Sequence, residues 1–188
     1  MIALVAIVTS VSFGQIKFGV KTGLNLSNVK MSGGGVSIDN KMYTGFMIGG
    51  FVNYSINDKL SVQPEILFAQ YGCNFDEDIF GPDVEPLKEN YISIPIVVKY
   101  SIGAIHVLAG PQLGYLLSAE VDGDDATGTD AFDMKKMDAG IALGAGYEWE
   151  IGLGIDARYY LGLANITNQS GFEMKNRSIQ VAVFYKFK

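Results

Sequence analysis

Three places in this sequence have residue types and spacings that could do chemistry. The run Gly152-Leu-Gly154-Ile-Asp-Ala157 matches the glycine pattern that lets a backbone approach a dinucleotide pyrophosphate. That chemistry needs a helix directly after the glycines, because the phosphate sits on its N-terminal amides. Arg158 to Leu163 instead alternates like a strand, so the glycines read as inward positions where little side-chain volume fits. The run Asp122-Gly-Asp-Asp125 invites a calcium reading, but it lacks the oxygen spacing of a helix–loop–helix calcium site. His106 is the one histidine, so any Ser–His hydrolytic pair must include it.

The elements that must position these residues alternate with a period of two. In YISIPIVVKY, Tyr91 to Tyr100, one face reads Ile92, Ile94, Ile96, Val98, Tyr100 and the other Tyr91, Ser93, Pro95, Val97, Lys99. One purely apolar face is a strand signal, and Pro95 opposes a helix interior. The same split recurs seven times. Its apolar sets begin at Phe18, Phe46, Leu60, Ile105, Met137, Ile151 and Ile179. Their opposite sets carry Lys21, Phe51, Glu65, His106, Asp138, Asp156 and Gln180 respectively. Each run is long enough for a tilted membrane strand of about 9–11 residues.

The connections alternate as well. Short turns are expected at Ile56–Lys59, at Ser101–Ala104 and around Glu150, and long polar loops at 28–42, 74–90, 119–135 and 164–176. An even number of strands with short turns at one end and long loops at the other predicts an all-β, eight-stranded antiparallel up-and-down transmembrane β-barrel. Tyr54, Tyr100, Tyr147, Trp149, Tyr185 and Phe187 fall near strand ends, where an interfacial girdle belongs. The apolar faces then meet lipid. Two membrane helices between Ile92 and Ala119 are the rival reading, opposed by Pro95, by Gly110-Pro111 and by the alternation.

With the chain so arranged, the inward set collects Lys17, Lys21, Glu65, Lys99, Asp138, Glu148, Asp156, Arg158 and Lys186. Mixed signs predict a mutually neutralised network, with Glu65 and Arg158 near mid-strand as one pair. Phe51, Leu67, Tyr71, Leu108, Tyr160 and Phe184 also point inward, and together these groups are expected to plug an eight-stranded bore. The inward glycines pull the other way by leaving room. His106 lies beside a short turn, far from the long loops, so no Ser–His site can form among them. Asp76, Glu77, Asp78, Asp83, Glu85 and Glu89 in one loop, and Glu120, Asp122, Asp124, Asp125, Asp130 and Asp133 in another, read as solvated surface charge.

Composition bounds the alternatives. The 188 residues suit one domain, and a net charge of -6 argues against a nucleic-acid surface. Hydrophobic residues reach 48% against 18% charged, with 23 Gly, 10 Tyr and 11 Phe, a mix that favours strands. The lone Cys73 excludes an internal disulfide and disfavours a cysteine metal site. Residues 1–14 read as a signal peptide, with an apolar run from Met1 to Val8 and Ser12-Phe13-Gly14 before Gln15. The usual positive start is missing, as in a leader truncated at its beginning. Residues 15–188 form the barrel domain.

FGVKTGLNLS (Phe18–Ser27), QPEILF (Gln63–Phe68), YISIPIVVKY, LAGPQLGYLL (Leu108–Leu117) and RSIQVAVFYKF (Arg177–Phe187) resemble the PorT-like outer-membrane β-barrel proteins, across essentially the whole mature chain. One departure is Lys188, since barrel assembly signals often end on the aromatic. The resemblance implies fold, membrane and export. Its motifs are structural, and the family mixes porin-labelled proteins with a branch tied to secretion and gliding. The expectation is therefore a non-enzymatic barrel of the outer membrane of a diderm bacterium, with no catalytic, cofactor-binding or metal residues and no cofactor. Its expected partners are outer-membrane lipid and envelope or secretion proteins met through the loops; no nucleic acid is expected, and the barrel is expected to be a monomer. A PorT-like secretion component and a narrow porin are the alternatives. A soluble lipocalin-type lipid binder would put the apolar set inside, and an envelope enzyme would lean on the lone His106.

Overall fold

The structure is a computed structural model that describes residues 15–75, 85–121, 124–125 and 133–187. The expected leader, the acidic residues Asp76, Glu77, Asp78, Asp83, Asp122 and Asp130, and the side chains of Asp124 and Asp125 lie outside what it describes. Ten strands follow in order: β1 (Ile16–Gly33), β2 (Val36–Asp39), β3 (Lys41–Ser55), β4 (Leu60–Asn74), β5 (Leu87–Ile102), β6 (Ile105–Val121), β7 (Asp124–Asp125), β8 (Met137–Glu148), β9 (Leu153–Gly162) and β10 (Phe172–Lys186).

Eight of these close on themselves. The sheet runs β10-β9-β8-β6-β5-β4-β3-β1, and β1 returns to pair with β10 from Gly19↔Lys186 to Gly33↔Phe172. Every barrel pairing is antiparallel, and closure leaves no strand edge unpaired in lipid. Two short strands flank the barrel, β2 on β1 and β7 on β6. No helix among the described residues is long and apolar enough to cross a membrane; the crossing is made by strands.

The alternation sets the faces. On β5, Tyr91, Ser93, Val97 and Lys99 are at most 3% exposed, while Ile94, Ile96, Val98 and Tyr100 are 39–45% exposed. The same polarity holds around the wall, where Phe18, Ile66, Val107, Leu143 and Val183 all face outward. Tyr147 stacks edge-on with Trp149 at 5.0 Å, and Tyr185 with Phe187 at 5.5 Å, building the girdle at the short-turn end.

The short turns form as expected. Asn57 Oδ1 accepts from the backbone amides of Lys59 (2.9 Å) and Leu60 (2.8 Å), and Gly103 takes a left-handed φ of 62°. Gly152 departs from its expected place inside a strand. It sits in the β8–β9 turn at a φ of 87°, which favours glycine, and only Gly154 of the glycine pattern is a strand residue.

The long connections are shorter than the sequence suggests. β1 runs on to Gly33 and turns back through Gly34 and Gly35, whose φ values of 59° and 83° suit a two-residue hairpin turn. Phe172–Asn176 likewise belongs to β10, Leu87–Asn90 to β5 and Ala119–Val121 to β6. Above the apolar band the outward positions turn polar, as at Asn28, Lys30 and Lys88. In β1 the alternation changes sides there, Val29 and Met31 pointing inward, while the ladder continues.

Candidate functional site: the lumen of the barrel

The inward side chains stack in layers along the bore. At the short-turn end a cavity of about 650 Å³ opens between Lys17, Asp58, Glu148, Trp149, Glu150 and Lys186, and it reaches inward to His106. At its wall Lys186 Nζ bonds Glu148 Oε1, and Lys99 Nζ lies 4.0 Å from Glu148 Oε2. Lys99 also sits over the Phe184 ring, 4.8 Å from its centroid, so the ring face offers it part of the charge stabilisation that water would supply.

Beyond this mouth lies a buried charge network. Arg158, from β9, places Nη1 2.9 Å from Glu65 Oε2 and Nη2 2.7 Å from Glu65 Oε1, a bidentate pair across the bore to β4. Nη2 also donates to Asp156 Oδ2 at 2.9 Å. Lys21 of β1 donates to Glu65 Oε1 (2.9 Å) and to Asp156 Oδ2 (2.8 Å). His106 Nε2 stands 2.6 Å from Asp156 Oδ1; the carboxylate can only accept, so the imidazole donates from Nε2. Two cations and two carboxylates, all at most 2% exposed, close to zero net charge. A chain of amides, Asn53 to Gln63 (3.1 Å) and Gln63 to Glu65 (2.6 Å), links this network toward the mouth.

Bulky side chains flank the network on both sides. Phe51 and Phe184 meet edge-on at 5.9 Å, each 5.7 Å from Lys21 Nζ. On the far side Tyr71 contacts Tyr91 at 5.4 Å and Tyr160 at 6.0 Å, and its hydroxyl accepts from Gln112 (2.8 Å) and Gln180 (3.1 Å). Leu67 and Met47 are buried with them. The inward glycines of β8 and β9 stand close against these groups. A Cβ on Gly144 would stand 2.9 Å from Arg158 Cγ, one on Gly146 2.5 Å from His106 Nε2, and one on Gly154 2.2 Å from Phe184 Cζ. These positions are glycine because their neighbours occupy the space.

The expected inward charges thus sort by height. Lys21, Glu65, Asp156 and Arg158 meet in one network, which His106 joins. Lys99, Glu148 and Lys186 meet near the mouth, where Lys17 is half-buried. Asp138 stands apart, on the far side of the tyrosine layer, accepting from Asn176 Nδ2 at 3.1 Å. The reading of Glu89 as a solvated loop charge is corrected. It is an inward residue of β5 with 0% exposure, because β5 begins earlier than its sequence pattern suggests. Glu85, Glu120 and Asp133 are exposed as expected. The bond between His106 and Asp156 was not legible, since nothing in the spacing of residues 50 apart reports a shared height.

A closed antiparallel barrel with an apolar outer band, an aromatic girdle and a charged interior is an integral outer-membrane β-barrel. The sequence matches the outer membrane protein beta-barrel domain family over residues 10–168, and the chain belongs to that family, which places it in a bacterial outer membrane. Its fold is similar to that of Neisserial surface protein A, with a TM-score of 0.60 at 18% identity over 90% of this chain and 97% of that one. It is also similar to Ail, the attachment invasion locus protein of Yersinia pestis, at a TM-score of 0.47 and 16% identity over 92% and 99% of the two chains. No curated protein matches the sequence.

Proposed function

We propose that this is a closed, non-enzymatic outer-membrane barrel that acts as a monomer through the surface at its long-connection end. The observation that carries the reading is the network of Lys21, Glu65, Asp156 and Arg158, which ties β1, β4 and β9 together across the middle of the bore. Buried aromatic rings lie on both sides of it. An eight-stranded interior is just wide enough for side chains to fill, whereas open channels use about 16–18 strands. The His106–Asp156 pair has the acid and base of a hydrolytic triad, but Asp156 is committed to Lys21 and Arg158.

The resemblance to PorT-like barrels supports a role in contacts with envelope or secretion proteins, made through the acidic long connections. Planar-bilayer recording of the purified barrel tests the closed-bore reading. The expected trace is quiet, with at most small and brief events. Stable, large single-channel steps from the monomer would overturn the closed bore, and with it the assignment of function to the outer surface.

A further inference from the structure

The half of the lumen nearer the long connections is short of hydrogen-bond donors. Of the nine buried side-chain polar atoms without a hydrogen bond among the described residues, eight are acceptor oxygens. Four of these belong to three neighbouring side chains: Glu89 Oε1 and Oε2, Asp138 Oδ1 and Asn176 Oδ1. Glu89 comes from β5, Asp138 from β8 and Asn176 from β10, so three walls of the barrel deliver oxygen to one place. Asn176 spends its amide on Asp138 Oδ2 at 3.1 Å and, at 3.5 Å, on the Tyr91 hydroxyl. β6 gives way to bring them together. A Cβ on Gly114 would lie 3.1 Å from Tyr91 Cδ1 and 3.4 Å from Asp138 Cβ.

Among the described residues no buried cation faces these carboxyl groups. Asp138 and Asn176 both act on the Glu89 carboxylate, yet neither of its oxygens accepts a hydrogen bond of good geometry. Among the described residues the buried lysines and arginine are Lys21, Lys99 and Arg158, all in the network or nearer the mouth. The tyrosine layer separates them from Glu89. Apolar side chains close the other side: Val29, Cys73, Phe75, Leu87, Met134 and Met174, at most 6% exposed. Two carboxyl groups enclosed between an aromatic floor and an apolar cap stay ionised only with a counter-charge beside them.

We propose that Glu89, Asp138 and Asn176 bind a hard divalent cation, calcium in the first place, inside the barrel beneath its outer cap. Hard oxygen donors of net charge -2 suit a divalent hard ion, and the Tyr91 hydroxyl and waters complete a set that calcium takes as 6–8 oxygens. No three carboxylate, histidine or cysteine side chains converge among the described residues, so the site has two charges and neutral oxygens. Two charges place its affinity in the weak class, about 10⁻⁴–10⁻³ M. The cap makes exchange slow, so the ion enters as the barrel closes around it.

The test is refolding into detergent micelles with millimolar calcium or with EDTA, followed by EDTA washing, metal analysis and the thermal midpoint of the gel-mobility shift. The expected result is about one retained calcium per chain and a midpoint raised by about 1–5 °C over the EDTA-refolded barrel. E89Q/D138N should retain none and lose the calcium-dependent rise. N176D adds a third carboxylate to the same set and should enlarge that rise. If the double variant does not fold, the wild-type metal content and the N176D comparison still decide. A wild-type barrel that retains no calcium and melts alike in both buffers overturns the site, leaving water and a shared proton to satisfy these oxygens. A calcium rise that E89Q/D138N keeps also overturns it.

Discussion

Replacing Arg158 by methionine removes three charge-assisted hydrogen bonds at once: two to Glu65, at 2.9 and 2.7 Å, and one to Asp156 at 2.9 Å. Volume changes little, so the effect is electrostatic. Lys21 then faces two carboxylates alone, and the network holds one uncompensated negative charge. Breaking a buried pair by removing one partner costs about 3–5 kcal/mol. Glu65→Gln makes the opposite error, leaving Lys21 and Arg158 against Asp156 only, at a cost of similar size. The double variant E65Q/R158M behaves differently. It keeps Lys21 bonded to Asp156 at 2.8 Å, with the two charges balanced. Its loss should fall short of the summed single losses by about 2–3 kcal/mol. Urea unfolding in lipid vesicles measures this, with Trp149 as reporter: it is the only tryptophan in the chain and stands in the girdle, 46% exposed. Additive losses would refute the reasoning, because they would mean that Glu65 and Arg158 do not share a buried charge balance.

Three further outcomes follow from the same geometry. Ile66→Arg, on the outward face beside Glu65, should destabilise the folded barrel in vesicles by about 2–4 kcal/mol, as charges near the midplane of a barrel wall do; equal stability would remove Ile66 from lipid. Gly146→Ala drives a methyl against His106 and the backbone of Ile155 and should cost about 1–3 kcal/mol by overpacking, read by the same unfolding assay. Glu148→Gln near the mouth breaks a pair whose side chains are about one-fifth exposed, so its loss should stay near 1 kcal/mol or below and shrink with added salt. A salt-independent loss would mean that the mouth is drier than its exposure implies.

The wall of this barrel was legible in the sequence because lipid writes it there. Each outward residue within the bilayer must be apolar, so Ile92, Ile94, Ile96 and Val98 declare their face without help from the rest of the chain. The pair Glu65–Arg158 could be anticipated for a related reason, since both are inward charges near mid-strand. What stayed hidden depends on height and tilt. Lys21 bonds residues 44 and 135 positions away, and only the stagger of closed strands puts them level. Glu89 was misplaced because its outward neighbours Lys88 and Asn90 are polar. Where lipid ends, the outward face turns polar while Val29 and Leu87 point inward, so the apolar face changes sides and the strand reads as a loop. Pro95 and Pro111 were legible only as helix breakers. In the barrel Pro95 pairs opposite Gln112, and β5–β6 pairing resumes at Val98↔Ala109.

The interior bears on folding as much as on function. Lipid outside the wall rewards any strand arrangement that keeps apolar faces outward, and a slip of two residues between neighbouring strands preserves that polarity. Hydrophobicity therefore does not choose between such registers. The interior does. At about 3.3 Å per residue, a two-residue slip of β9 carries Arg158 about 7 Å along the bore, beyond hydrogen-bonding reach of Glu65. The same slip separates Asp156 from Lys21 and from His106, which stand on β1 and β6. Each of the strands β1, β4, β6 and β9 brings at least one member to the network, so a slip in β1, β4 or β9 leaves a charge unpaired in the interior and a slip in β6 takes from Asp156 its bond to His106. Glycine enforces the same choice by shape, because Gly144 and Gly146 admit Arg158 and His106 only at the observed heights. A buried ionic network is weak evidence for stability in general. Here it discriminates among registers that the membrane itself cannot tell apart.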